Sequence, residues 1–138
     1  MNQDIRWMQR AESFDKAFAR LREAMEQPEL NELERNGLIQ RFEFTMDLGW
    51  KVLKDFLEFK GFAFKPSPKD TIRLAHESDY IEAAAALIDG LDIRNILSHD
   101  YDGAKFERYE PILRKEVFPA LTELKQFFDS SRNDANKQ

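Results

Sequence analysis

Ile5, Met8, Phe14, Ala17, Phe18, Leu21 and Met25 recur at three- and four-residue steps, the spacing that puts apolar side chains on one face of a helix. The pattern predicts a helix over about residues 4–26, closed by Pro28. A second pattern, Leu38, Phe42, Met46, Gly49, Val52, Leu53, Phe56 and Leu57, predicts a helix over about 31–60. Gly61 is its natural stop, being free to take the left-handed conformation past a helix end. In the loop FAFKPSPKD, Ser67 is a candidate N-cap with Pro68 in the first helical position and Asp70 completing a box-like pattern, so a short helix should span 68–77. Asp79 and Glu82 form a second capping pattern, opening a helix through Ile81, Ala84, Ala85, Ile88 and Ile93 toward His99, with Gly90 a place where it could bend.

After the turn signal Asp102-Gly103, Phe106, Tyr109, Leu113, Val117, Phe118, Leu121, Leu124 and Phe127 predict a last helical stretch over about 104–129. Pro111 and Pro119 fall inside it, so a break or kink is expected near one of them. No internal repeat, low-complexity block or strand-like alternation interrupts these patterns. The expectation is an all-α fold, an antiparallel up-and-down bundle of about four long helices plus a short one. One domain should occupy residues 1–128, with a polar, disordered tail at 129–138.

Composition agrees with long amphipathic helices: 12 Phe and 42% hydrophobic residues stand beside 34% charged residues, with only five Gly and five Pro. The absence of cysteine excludes disulfides, a redox dithiol and thiolate metal sites. The mixed charges of MNQDIRWMQR do not read as a secretory signal, and no run reaches the length of a membrane helix, so a cytoplasmic location without membrane contact is expected. A net charge of −5, from 21 basic and 26 acidic side chains, argues against a protein that coats nucleic acid through its overall field. Any such contact must be local. Lys51, Lys54, Lys60, Lys65, Lys69 and Arg73 make 51–73 the basic part of the chain, and a mixed, solvated surface is its bland reading.

The candidate chemistry lies in Arg94-Asn95-Ile96-Leu97-Ser98-His99-Asp100-Tyr101-Asp102. If 93–102 continued one helix, Arg94, Asn95, Ser98, His99 and Asp102 would share an arc of roughly 140°, with Ile93, Ile96 and Leu97 opposite. Arg94 offers a fork of donors for phosphate oxygens, and His99 can take or give a proton near neutrality. One such pair per chain, doubled across a dimer, would supply the base, acid and positive charge that RNA cleavage needs without a metal. On spacing alone the pattern favours a structural role, in which these residues pair with carboxylates and favour the helix C-terminal dipole. Two His and no Cys form no recognisable metal constellation, and no Gly-rich phosphate loop is present, so no cofactor is expected and the chain does not read as a nucleotidyltransferase itself. Asp47 in TMDLGWK reads as a packed part of the second helix, His76 as a cap or surface residue, and the Phe set from 42 to 64 as core or interface, with Phe62 and Phe64 open to a partner.

RNILSHDYD, preceded by RFEFTMDLGWKVLKDFLEFKG and SPKDTIRLA, resembles the HEPN family of helical-bundle proteins, in the branch paired with minimal nucleotidyltransferases. The resemblance runs from about residue 8 to 127. Its motif is an Arg, four residues, a His, one residue and a Tyr, and Arg94, His99 and Tyr101 occupy those places, with Asn95 in an often-used position. The resemblance implies that Arg94 and His99, with Asn95 orienting groups beside them, form half of a metal-independent endoribonuclease site completed by a homodimer. It implies that Tyr101 is the residue a partner nucleotidyltransferase adenylylates to silence this toxin of a toxin-antitoxin pair, with Ser98 and Asp102 in supporting positions. The same branch also carries the description of a nucleotidyltransferase substrate-binding protein, which implies instead a non-catalytic subunit of a two-chain nucleotidyltransferase. Both readings imply a minimal nucleotidyltransferase encoded nearby, and RNA is the substrate only under the first.

Overall fold

The computed structural model describes residues 2–100 and 103–136. It is all-α, and among the described residues there is no strand. Helix α1 spans Asn2–Met25, α2 Glu32–Phe59, α3 Pro68–Glu77, α4 Ala84–Leu97 and α5 Ala104–Ile112, which runs through a π-helical turn at Leu113–Val117 into α6, Phe118–Asn136. Cross-helix pairs give the directions. Trp7 meets Phe56 while the Arg41 guanidinium donates to the Arg20 carbonyl, so α1 and α2 are antiparallel. Phe14 meets Phe128 and Phe18 stacks on Phe118, so α6 runs antiparallel to α1. The long helices thus alternate up and down, with α3 as the short addition.

Local chemistry sets several boundaries where the residue pattern places them. The Ser67 hydroxyl accepts the Asp70 N–H at 3.3 Å and Pro68 opens α3, while the Asp70 carboxylate turns forward to Arg73 instead of closing a box. Asn31 and Glu34 form a reciprocal capping box at the start of α2. Gly61, at φ 95°, lets the Gly61 and Phe62 N–H groups turn back to the Glu58 and Leu57 carbonyls, closing α2 in a Schellman motif.

Other boundaries depart from the pattern. Asp79 does not open α4: at φ 65° it closes α3, with its N–H on the His76 carbonyl and that of Tyr80 on the Ala75 carbonyl. The cap of α4 comes from α6, where the Glu123 carboxylate accepts the Glu82 and Ala83 N–H groups, both at 3.1 Å. Gly90 does not bend α4. A Cβ there would lie 2.8 Å from Val117 Cγ1 and 3.2 Å from Met46 Cε, so its lack of a side chain permits close packing against α2 and the π-helical turn. The break or kink expected near Pro111 or Pro119 takes the form of the π-helical turn that interrupts the α-helix at Leu113–Val117, between the two prolines. Pro119 offers no N–H and crowds the carbonyl four residues back, and the chain absorbs this in the π-helical turn before it, where the Phe118 N–H reaches the Leu113 carbonyl.

The disordered tail expected from residue 129 is also corrected, because α6 continues through Asn136. Arg132 forks onto Asp15 of α1 at 2.7 and 3.2 Å and also pairs with Asp129, tying these turns to the bundle. Phe128 and Phe14 are fully buried between them. Among the described residues no helix is long and apolar enough to cross a membrane.

Candidate functional site

Ile93 and Leu97 are buried, and they hold the last turn of α4 against the bundle. Arg94 therefore leaves the helix on its half-exposed side, where Nη2 reaches Asp47 Oδ2 of α2 at 2.8 Å and Nη1 reaches Asn95 Oδ1 at 3.1 Å. Its Nε is buried without an acceptor among the described residues. A guanidinium with one uncompensated donor is held by partners that fix its plane but leave its capacity unfilled.

The single polar arc expected over 93–102 does not form, since α4 ends at Leu97. The Ser98 N–H still reaches the Arg94 carbonyl, and the Ser98 hydroxyl donates to the Asn95 carbonyl at 3.0 Å. Beyond it, the His99 and Asp100 N–H groups take only the tighter bonds to Ile96 and Leu97. The reason lies at Asp100. Its nearly buried carboxylate accepts the Lys105 N–H at 3.1 Å and the Phe106 N–H at 2.8 Å, capping α5 in place of Gly103, which has no side chain to do so. Drawing Asp100 inward ends the helix and leaves His99 exposed on the turn, and among the described residues its imidazole has no hydrogen-bond partner.

Arg94, Asn95, Ser98 and His99 thus share one end of the bundle, but no hydrogen bond joins the Arg94 guanidinium to the His99 imidazole among the described residues. Tyr101 and Asp102 lie outside the described residues. Beside the end of α4 an open cleft of about 350 Å³ is lined by Asn36, Ile39, Gln40 and Glu43 of α2 with Leu97, Ser98 and Asp100. Arg35 lies over Gly103, its guanidinium 3.4 Å from where a Cβ there would stand.

The residue pattern missed two members of this end. Asp47, read as packing, is the carboxylate that anchors Arg94, and Asp100 is the cap that stops α4 short of His99. The only local signal for Asp47 was a carboxylate placed among the apolar positions of TMDLGWK. Among the Phe residues, Phe62 and Phe64 pack on the core while Phe44 is the exposed one, at 54%. His76 is exposed, as a surface residue should be. Among the described residues no group of three or more His, Asp or Glu side chains is placed to hold a metal ion.

The bundle is similar to the crystal structure of a protein from Thermus thermophilus, with a TM-score of 0.65 and 29% identity over 88% of this chain and 97% of that one. No curated protein matches the chain. Residues 9–130, from within α1 to within α6, match the family described as nucleotidyltransferase substrate binding protein like, and the chain belongs to that family.

Proposed function

We propose that this chain is the helical, substrate-binding partner of a separate nucleotidyltransferase and that the end of α4 is its working face. The observation that carries the reading is the state of Arg94: Asp47 and Asn95 orient it, its Nε finds no acceptor among the described residues, and it stands at the end of the bundle that holds an open cleft. Such a group can present an anionic substrate or dock against a second protein. The cleft is too open to exclude water alone, so the chemistry falls to a site completed by another chain. Asn95 and Ser98 supply neutral donors and acceptors around it, and the family description supports a nucleotidyltransferase as the second chain.

A second reading is favoured by His99 five residues after Arg94, exposed and without a hydrogen-bond partner among the described residues. In it the chain is a HEPN toxin, a cytoplasmic homodimer whose two copies of Arg94, Asn95 and His99 form a metal-independent endoribonuclease. Tyr101 is then the acceptor of adenylyl groups from the partner, with Asp102 beside it. Adenylylation would add negative charge and bulk to this stretch and repel a polyanion.

One experiment separates the two. The chain and the nucleotidyltransferase encoded beside it are purified, mixed and followed by size-exclusion chromatography, by intact mass after incubation with ATP, and by RNA cleavage in chelator. The partner reading expects a stable complex, weakened by Arg94→Ala, and no cleavage by the chain alone. Absence of a complex overturns it. Cleavage that leaves cyclic phosphate ends and vanishes in His99→Ala, with a mass shift confined to Tyr101, replaces it with the nuclease reading.

A further inference from the structure

Half of the cations in the basic stretch 51–73 are compensated by carboxylates in the fold: Lys54 pairs with Asp55, Lys69 with Asp92 and Arg73 with Asp70. Free cations cluster elsewhere, in a groove of about 390 Å³ between α1 and α2. Lys16 and Arg20 of α1 and Arg41 of α2 line it with Phe44, Leu48 and Gln40, and no carboxylate is among its lining residues. None of the three cations is in an ion pair among the described residues, in a chain with 26 acidic side chains. Arg41 is fixed in place, because Nη1 donates to the Arg20 carbonyl at 2.8 Å, and the remaining guanidinium donors stay unspent. Lys16 and Arg20 are four residues apart on one helical face, so their stems are about 6 Å apart along the axis. Phe44 is 54% exposed in the middle of this charge, whereas Phe42, two residues earlier on the same helix, is fully buried.

We propose that this groove binds a nucleotide unit, with the base lying on Phe44 and the phosphate taken by Lys16, Arg20 and Arg41. A phenyl ring left open to solvent beside unpaired cations suits a ligand with one planar apolar face and one anionic group, and aromatic stacking plus backbone neutralisation is how single strands are held without sequence preference. Gln40 lines both this groove and the cleft at the end of α4, so a strand bound here leads to Ser98. The groove stands apart from Arg94 and His99, and its occupancy does not depend on which chain carries out the chemistry.

The test uses the full chain with two probes: a fluorescein-labelled ten-residue oligouridylate followed by anisotropy, and ATP followed by calorimetry. At least one probe binds wild type, more weakly as salt rises. Lys16→Glu with Arg20→Glu weakens binding at least tenfold, and Phe44→Ala weakens it roughly tenfold. A matched reversal of two exposed lysines outside the groove that have no ion pair among the described residues, Lys65→Glu with Lys115→Glu, leaves binding near wild type. Affinity that grows with oligomer length, with a salt slope lowered by about 1.4 in the Lys16, Arg20 variant, identifies a single strand; equal binding of ATP and the oligomer identifies a free nucleotide. Circular dichroism confirms that the variants are folded. The proposal is overturned if neither probe binds, if the groove variants bind like wild type, or if the matched reversal weakens binding as much.

Discussion

The two ends of the bundle are built on opposite principles. Where α1 begins and α2 and α6 finish, Phe56 meets Trp7, Tyr80 and Phe127 edge to face, with centroids 5.1–5.3 Å apart. Lys60 stands over the Phe56 and Phe59 rings, and the Asp15, Lys125, Asp129 and Arg132 network ties α6 to α1. Apolar rings and compensated charge leave little there for a ligand to satisfy. At the other end, where α4 stops, His99 is exposed without a hydrogen-bond partner among the described residues, Arg94 keeps an unmatched Nε, and an open cleft separates α4 from α2. The contrast teaches that one end holds the fold while the other is left to interact.

Substitutions can break or sharpen that division. The largest effect is expected at the aromatic end: Phe56→Ala removes the ring shared by three edge-to-face pairs and should cost about 3–5 kcal/mol, read by chemical denaturation. At the other end Asp100→Ala removes the side-chain acceptor for two α5 N–H groups, and a loss of about 1–2 kcal/mol is expected, recovered only in part by Asp100→Asn, whose single oxygen can accept one of the two. Asp47→Ala should change stability by less than about 1 kcal/mol, since the pair it breaks is partly solvated. Its effect should fall on Arg94-dependent binding of the partner, weakened severalfold in a titration. Equal losses of stability from Phe56→Ala and Asp47→Ala would erase the distinction between the ends.

The smallest effect is a pH dependence. Burial pulls the Asp129 carboxyl upward, but hydrogen bonds and charge from Lys125 and Arg132 outweigh it and set its pKa below the ordinary aspartate value. A group depressed on folding contributes stability above its unfolded pKa, and loses it as pH falls through the lower folded one. Asp129→Asn should therefore be less stable than wild type at pH 7 by under about 1 kcal/mol, given its exposure. The gap in melting temperature should narrow as pH drops below about 4. A gap that widens in acid would show that the carboxylate is not stabilised by these cations.

Much of the fold was legible because its signals are local. Ser67 with Pro68 marks the first turn of α3, Gly61 marks the end of α2, and the spacing from Leu38 to Leu57 marks a buried face, since each acts within one or two turns. What escaped was decided across the chain. Glu123 caps a helix some 40 residues earlier, so Asp79, which looked like that cap, was free to close α3. Arg132 finds Asp15 from 117 residues away, which keeps helical a segment whose composition reads as a tail. The site was legible as a set of residue types, Arg94, Asn95, Ser98 and His99, but its geometry was not. A continuous helix to Asp102 was the natural reading until Asp100 turned inward to cap α5.

By itself the sequence determined that the chain is helical, which faces of its helices are apolar, and which short run carries a guanidinium and an imidazole together. Those properties follow from side-chain periodicity and residue chemistry, which need no distant partner. Only the tertiary structure decided that Asp47 holds Arg94, that half of the basic run at 51–73 is paired with carboxylates, and that unpaired cations flank an exposed Phe44 between α1 and α2. Charge is compensated by whichever side chain packing brings within reach, and that neighbour is fixed by the fold, not by the order of residues.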